Sequence, residues 1–258
     1  MVSREILGAG LLACAISVAT GACRGAVAEN ADRKSASSGP HELVVFVYDR
    51  STSIPDHTLS LAHDLTNGRI DHLRHGDRIA ALQVLQLSLA EPPLRWSQMV
   101  PQRQWEEQEI ARDSVVRARF LKDAQDYLAS YSDTAGRSGI TGTDLLSTLH
   151  DVGEELRAFA DYEATVYIFS DMLQSTPSIE MEGLRRMPGA HWAKEKYARG
   201  MLPDLEGLCV VVVGARVDTD AGQQVKSFWK EYFDVTGATL LDRNYTLRPV
   251  TLPERPCG

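Results

Sequence analysis

The stretch Leu43–Ser53, LVVFVYDRSTS, most constrains what this chain can fold into. From Leu43 to Tyr48 the residues are apolar without a break. A strand with one wet face alternates polar and apolar residues. An unbroken run rich in Val and aromatics predicts a strand buried on both faces, as inside a parallel sheet. At its C-terminal end stand Asp49, Ser51 and Ser53 in the order D-x-S-x-S. Open α/β sheets bind ligands just beyond the C-terminal ends of their strands, so a carboxylate and two hydroxyls occupy the place where a site belongs. They are hard oxygen donors, suited to a small hard cation such as Mg²⁺. The plainer reading is a turn that leads into a helix.

The rest of the chain supplies partners for that strand. Further strands are expected at Arg78–Leu87, Ala164–Ser170 and Leu208–Ala215, with a last short one at Thr239–Leu241. Leu94–Val100 lies in a proline-containing stretch and reads as an antiparallel edge strand, since proline lacks a ladder donor. Apolar residues at helical spacing predict helices from Pro55 to about Leu73, within Gln104–Tyr131, from Thr143 through Phe159, within Trp192–Leu202, and over Ala221–Thr236. Thr143 is placed as the N-cap or first residue of its helix. Met172–Ala190 reads as a loop with room for a short helix. His63, His72 and His75 lack Cys or H-x-x-x-H partners and read as surface residues. Strands alternating with helices predict an α/β fold: a doubly wound, mostly parallel sheet with helices on both faces and one antiparallel edge strand.

The N-terminal region has the character of an export signal. Arg4 is followed by an apolar stretch, Ile6–Ala19, which is short for a membrane span. Two processing readings stand. Ala26-Val27-Ala28 offers an A-x-A cleavage site, giving a signal peptide over 1–28. Thr20-Gly21-Ala22-Cys23 resembles a bacterial lipoprotein box, with a signal over 1–22 and a lipid on Cys23, although Thr20 stands where a large aliphatic is usual. Either way the protein is expected to be exported by a bacterium, released in the periplasm or anchored in the envelope. Residues 29–41 read as a flexible linker, 42–247 as the domain and 248–258 as a tail. Cys209 and Cys257 remain in the mature domain. Export permits a disulfide between them; Cys209 as a small strand residue and Cys257 on a frayed tail is the alternative.

The formal net charge is −8 over 258 residues, and no basic stripe is present to neutralise phosphates. Nucleic acid is therefore not an expected partner.

Oxygen-bearing loops follow in a fixed order: Asp49/Ser51/Ser53, then Thr143 in G-T-x-L, then Ser170-Asp171. In this order and placement the chain resembles a von Willebrand factor A (VWA) domain with a metal-ion-dependent adhesion site, over roughly Glu42 to Leu241. The departure is Met172, where the family usually has Gly; a glycine there serves a turn with φ > 0. The resemblance implies metal ligation by Asp49, Ser51, Ser53, Thr143 and Asp171. The hydroxyls would bind the metal directly and the two carboxylates mostly through water. It implies Mg²⁺, with Mn²⁺ or Ca²⁺ as substitutes, and a last coordination position filled by an Asp or Glu of a protein partner.

The implied function is a protein-binding module for adhesion or envelope-complex assembly, not an enzyme. A metal-free structural or scaffold VWA-like domain is the alternative. A phosphate-ester hydrolase with Asp49 as nucleophile is a third reading, but it wants an acid/base carboxylate where Ser51 stands. There is no G-x-S-x-G, HExxH or P-loop. The stretches Gln104–Tyr131 and Leu173–Met201 are expected to form a rim that selects the partner, with Trp96, Trp105 and Trp192 as candidate anchors; ordinary core packing is the competing role.

Overall fold

Alternate residues of the first strand enter two different cores, which is why its sequence carries no polar break. Leu43, Val45 and Val47 lie in one buried cluster; Val44, Phe46 and Tyr48 lie in the other. The computed structural model describes residues 39–84, 95–102, 110–133, 142–182 and 187–258. In chain order the elements are β1 (Glu42–Asp49), α1 (Asp56–Ile70), β2 (Arg78–Val84), β3 (Arg95–Met99), α2 (Ile110–Ser132), α3 (Leu145–Ala158), β4 (Glu163–Phe169), β5 (Ser175–Thr176), β6 (Ile179–Glu180), α4 (Ala190–Ala198), β7 (Cys209–Val213), α5 (Asp220–Thr236) and β8 (Tyr245–Thr246). They fall in one compact unit, Pro40–Gly258.

The main sheet has the order β3-β2-β1-β4-β7-β8. Every pairing is parallel except β2 with β3, which is antiparallel at the edge. This is the mixed, doubly wound sheet that the sequence predicts. Each inner strand splits its residues as β1 does. Val166 and Ile168 of β4 join the first cluster and Tyr167 and Phe169 the second; Val210 and Val212 of β7 face opposite to Val211 and Val213. Burying each such side chain contributes about 1.5–3 kcal/mol. With period-2 alternation, a one-residue slip would exchange both faces at once, so register is strongly specified.

The two faces are built differently. On one, aliphatic strand residues meet the aromatic side of α5, where Phe228, Trp229, Tyr232 and Phe233 pack edge-to-face or tilted. Thr219 caps the start of α5 by accepting from the Gly222 amide at 3.0 Å. Gly237 ends the helix at φ 86°, with the Ala238 amide donating to the Phe233 carbonyl at 2.9 Å. On the other face, strand aromatics stack among themselves: Phe46 with Tyr167 at 5.7 Å and Tyr48 with Phe169 at 5.2 Å. Tyr131 of α2 leans on Tyr48 at 5.6 Å.

Several boundaries differ from expectation. The first helix ends at Ile70. The capping residue of α3 is Asp144, whose Oδ1 accepts from the Ser147 amide at 3.2 Å, and not Thr143. Within Met172–Ala190 the described residues form the β5–β6 hairpin in place of a helix. The last strand is β8, downstream of Thr239–Leu241; Thr239 makes only an isolated parallel bridge to Cys209. Strands of two residues leave too little periodicity to be read from sequence. The expected continuation of β2 to Leu87 and most of the Gln104 end of α2 lie outside the described residues.

The segment after β8 is seated on the domain. It follows α1 from its first turn, where Arg248 meets His57, to just past its end, where Glu254 lies 3.2 Å from His72. Leu252 enters the aromatic core, and the Pro253 carbonyl accepts from the Tyr167 hydroxyl at 2.5 Å. The Pro256 carbonyl accepts from Arg243 and from Asn244, each at 3.1 Å. Cys257 then closes a disulfide to Cys209 at the start of β7, with the Cα atoms 5.9 Å apart. Closing a loop of 48 residues is worth about 4 kcal/mol on the chain-entropy account.

Candidate functional site

β1 and β4 are parallel neighbours, so Asp49 and Ser170-Asp171 emerge at the same end of the sheet. β7 ends beside them, and there Gly214 has φ 104°. A Cβ on Gly214 would stand 3.0 Å from the Ser170 carbonyl oxygen, so a side chain there would push the strand ends apart.

Asp49 is fully buried. Its Oδ1 accepts from the Ser51 amide at 2.9 Å and its Oδ2 from the Ser170 hydroxyl at 2.7 Å. The Ser51 and Ser53 hydroxyls are 2.9 Å apart and bonded to each other. Ser53 also hydrogen-bonds the Asp171 carboxylate, whose Oδ1 accepts from the Leu173 amide at 3.0 Å. Asp49, Ser51, Ser53, Ser170 and Asp171 thus share one hydrogen-bonded network. Thr143 is buried beside this end but is held by its backbone. Its amide donates to the Ser175 carbonyl at 3.2 Å, and the Ser175 amide returns to the Thr143 carbonyl at 2.9 Å.

The electrostatics are unfavourable to charge. Burial pushes the Asp49 carboxyl up to about 6, and the nearby Asp171 charge adds to it, while Ser170 and Ser51 pull it back. Burial also raises Asp171, partly offset by the Leu173 amide, Ser53 and the Arg216 charge.

Three further residues hold the site: Met172, which the sequence marks by the missing glycine, and Gln174 and Trp229, which sequence reasoning missed. Gln174 is buried between the loops: its amide nitrogen donates to Asp144 Oδ1 at 3.0 Å, and its oxygen accepts from the Leu146 amide at 3.1 Å. Met172, in the family's Gly place, adopts φ 66°, alone among described non-glycine residues. That left-handed conformation costs roughly 1–2 kcal/mol for a residue with a Cβ. It is held from both sides: the Met172 amide donates to Ser170 Oγ at 2.9 Å, and its carbonyl accepts from Trp229 Nε1 at 2.8 Å. Met172 itself is fully buried against the α5 face. A missing glycine was the available signal for Met172; nothing in the sequence marks Gln174 or Trp229.

The metal expectation is corrected by this geometry. Among the described residues no group of three or more His, Cys, Asp or Glu side chains could hold a metal ion. The strand ends bring together two carboxylates, and their oxygens and the neighbouring hydroxyls are engaged with one another. The Mg²⁺ reading therefore does not stand, nor does capture of a partner's Asp or Glu through such an ion. Membrane anchoring is corrected as well. The cysteines among the described residues, Cys209 and Cys257, are joined in a disulfide, leaving no free thiol there for a lipid; Cys23 lies outside the described residues.

Two of the candidate rim tryptophans pack within the domain. Trp96 stacks on Tyr127 at 5.4 Å and Trp192 leans on Phe228 at 5.6 Å. Trp105 lies outside the described residues.

No protein-family model and no curated protein matches this sequence. Solved structures show a distant likeness. Proximal thread matrix protein 1 from the mussel byssus is 13% identical with a TM-score of 0.37, over 76% of this chain and 46% of that one. A von Willebrand factor type A protein from Catenulispora acidiphila is 13% identical with a TM-score of 0.37, over 77% and 41%. The manganese-loaded Plasmodium vivax TRAP protein is 12% identical with a TM-score of 0.36, over 81% and 68%. The chain spans less than half the length of the first two.

Proposed function

We propose that this chain is an exported, metal-free protein-binding module with a VWA-like sheet, in which the D-x-S-x-S network organises the strand-end loops and ligates nothing. The observation that carries the reading is the closure of that network. Asp49 has both carboxylate oxygens engaged and no exposure, so it is presented to neither an ion nor a substrate. Among the described residues, the exposed surface at this end includes loop residues around it such as Thr52, Ser53, Glu180 and Arg216. In an open α/β fold this is the end where loops carry recognition. Binding without turnover is part of the proposal. Export is supported by the N-terminal sequence and by the disulfide, which persists in oxidising compartments.

The test is site-directed photocrosslinking in cells. A photoreactive residue replaces Thr52 at the strand-end face or Glu206 at the opposite end. A specific protein adduct from position 52, absent from 206 and unchanged by EDTA, is expected. Adducts from 206 alone would overturn the proposed face, and loss of the adduct in EDTA would overturn its metal independence.

A further inference from the structure

We infer that the segment after β8 is a redox-controlled strap, held shut by the Cys209–Cys257 disulfide and released when a dithiol reduces it. The segment makes no strand pairing and no helix. Leu252 is its one residue in the aromatic core, while Val250 beside it is 94% exposed. Its other anchors are hydrogen bonds to the Leu247, Pro253, Pro256 and Gly258 carbonyls, the buried Pro256 ring, and exposed contacts at His57 and His72. Ordering a segment of this length costs conformational entropy at every residue, and these few anchors are a thin return without the covalent link.

The sheet beneath does not depend on the strap in the same way. β1, β2, β4 and β7 are joined by continuous parallel pairing, and α1 and α2 contribute their own residues to the aromatic face. Opening the bridge therefore uncovers the aromatic face at Tyr167, where Leu252 and Pro253 sit, while the domain stays folded.

Cys257 is half-buried and Cys209 buried, so an incoming thiolate meets Cys257 first. It attacks Cys257 Sγ, the S–S bond breaks, and Cys209 leaves as a thiolate that takes a proton. The second thiol of the reductant then attacks the mixed disulfide and frees Cys257. The protein gains two electrons and two protons, and the dithiol leaves as its disulfide.

Methyl NMR on the full chain tests this, with dithiothreitol as the reductant. In the oxidised protein the Leu252 methyl shifts are expected to be displaced from random coil by the aromatic core it enters. On reduction they are expected to become random-coil, while β1 and β4 amides keep their exchange protection. Cys257→Ser is expected to give the same spectrum without reductant. Leu252 remaining seated with both thiols free would overturn the inference. So would collapse of β1 and β4 protection, which would make the bridge a staple of the whole domain.

Discussion

The two ends of the sheet handle buried charge in opposite ways. At the N-terminal ends of the strands, opposite charges meet. The Arg69 guanidinium is buried against Glu42 and donates to the Tyr167 hydroxyl at 3.1 Å. Asp77, fully buried, accepts from the amides of Glu42 at 3.0 Å and Arg74 at 2.6 Å. At the C-terminal ends, the Asp171 charge adds to the cost of ionising the buried Asp49, and the exposed Arg216 offsets part of the cost on Asp171. One end compensates its charges and the other tolerates a repulsion that hydroxyls and amides only partly relieve. Sites that run against stability in this way are where function is to be sought.

The largest expected effect breaks the compensated end. Arg69→Ala leaves Glu42 without its partner and is expected to cost about 3–5 kcal/mol in urea denaturation. A loss under about 1 kcal/mol would mean that the ion pair contributes little and the contrast between the ends is false.

The uncompensated end is expected to respond with the opposite sign. Burial raises the Asp49 carboxyl from 3.8 to about 6, so its protonated form favours the fold. That contribution is complete below about pH 3.8 and is lost as the pH rises through about 6. The shift corresponds to about 3 kcal/mol. Asp49→Asn, neutral at every pH, is therefore expected to stabilise the protein by up to about 3 kcal/mol at pH 8 and to lose that advantage by pH 4. Denaturation curves at the two pH values decide this; a pH-independent difference would remove Asp49 as the seat of the repulsion.

A smaller effect sharpens the account of the turn after β4. Trp229→Phe keeps most of the ring but leaves the buried Met172 carbonyl without its donor, an expected cost of about 1–3 kcal/mol. Exchange of the Met172 and Leu173 amides should quicken more than that of β4. Uniform loss of protection would place the effect in the core rather than in the turn.

The smallest expected effect is none at all. A site with a Kd of about 1 mM would stabilise the fold by about 1.4 kcal/mol in about 10 mM Mg²⁺, which is about 3–6 °C in Tm for a domain of this size. No shift is expected on adding Mg²⁺ or EDTA. A clear rise in Tm with Mg²⁺ would reopen the comparison between the two ends.

The central sheet was legible because its residues obey short-range rules. Leu43–Tyr48, Ala164–Ser170 and Leu208–Ala215 had to be two-faced strands, and the proline-bounded Leu94–Val100 had to lie at an edge. The D-x-S-x-S loop was legible in place, since strand C-termini converge, but its partners were not. Whether Ser51 and Ser53 turn toward an ion or toward each other depends on contacts between loops more than a hundred residues apart, as in Ser170 with Asp49. Met172 was marked by a missing glycine, yet its positive φ is maintained by Trp229 from a distant helix. The strap after β8 has no period to read. Its place is set by Leu252, two carbonyls and a disulfide, and neither hydropathy nor propensity encodes such a path.

The same disulfide also alters how the molecule would bear a mechanical load. It closes residues 209–257 into a covalent ring that contains β7, α5 and β8. Tension applied at Cys257 passes straight to Cys209 in the sheet, so α5 and β8 stand outside the line of force. Across a sequence separation of 48, about 170 Å of extended chain is withheld from stretching while the bridge is intact. In an oxidised molecule pulled from this end the force enters the sheet at the start of β7; in a reduced one it meets the strap and then β8 first.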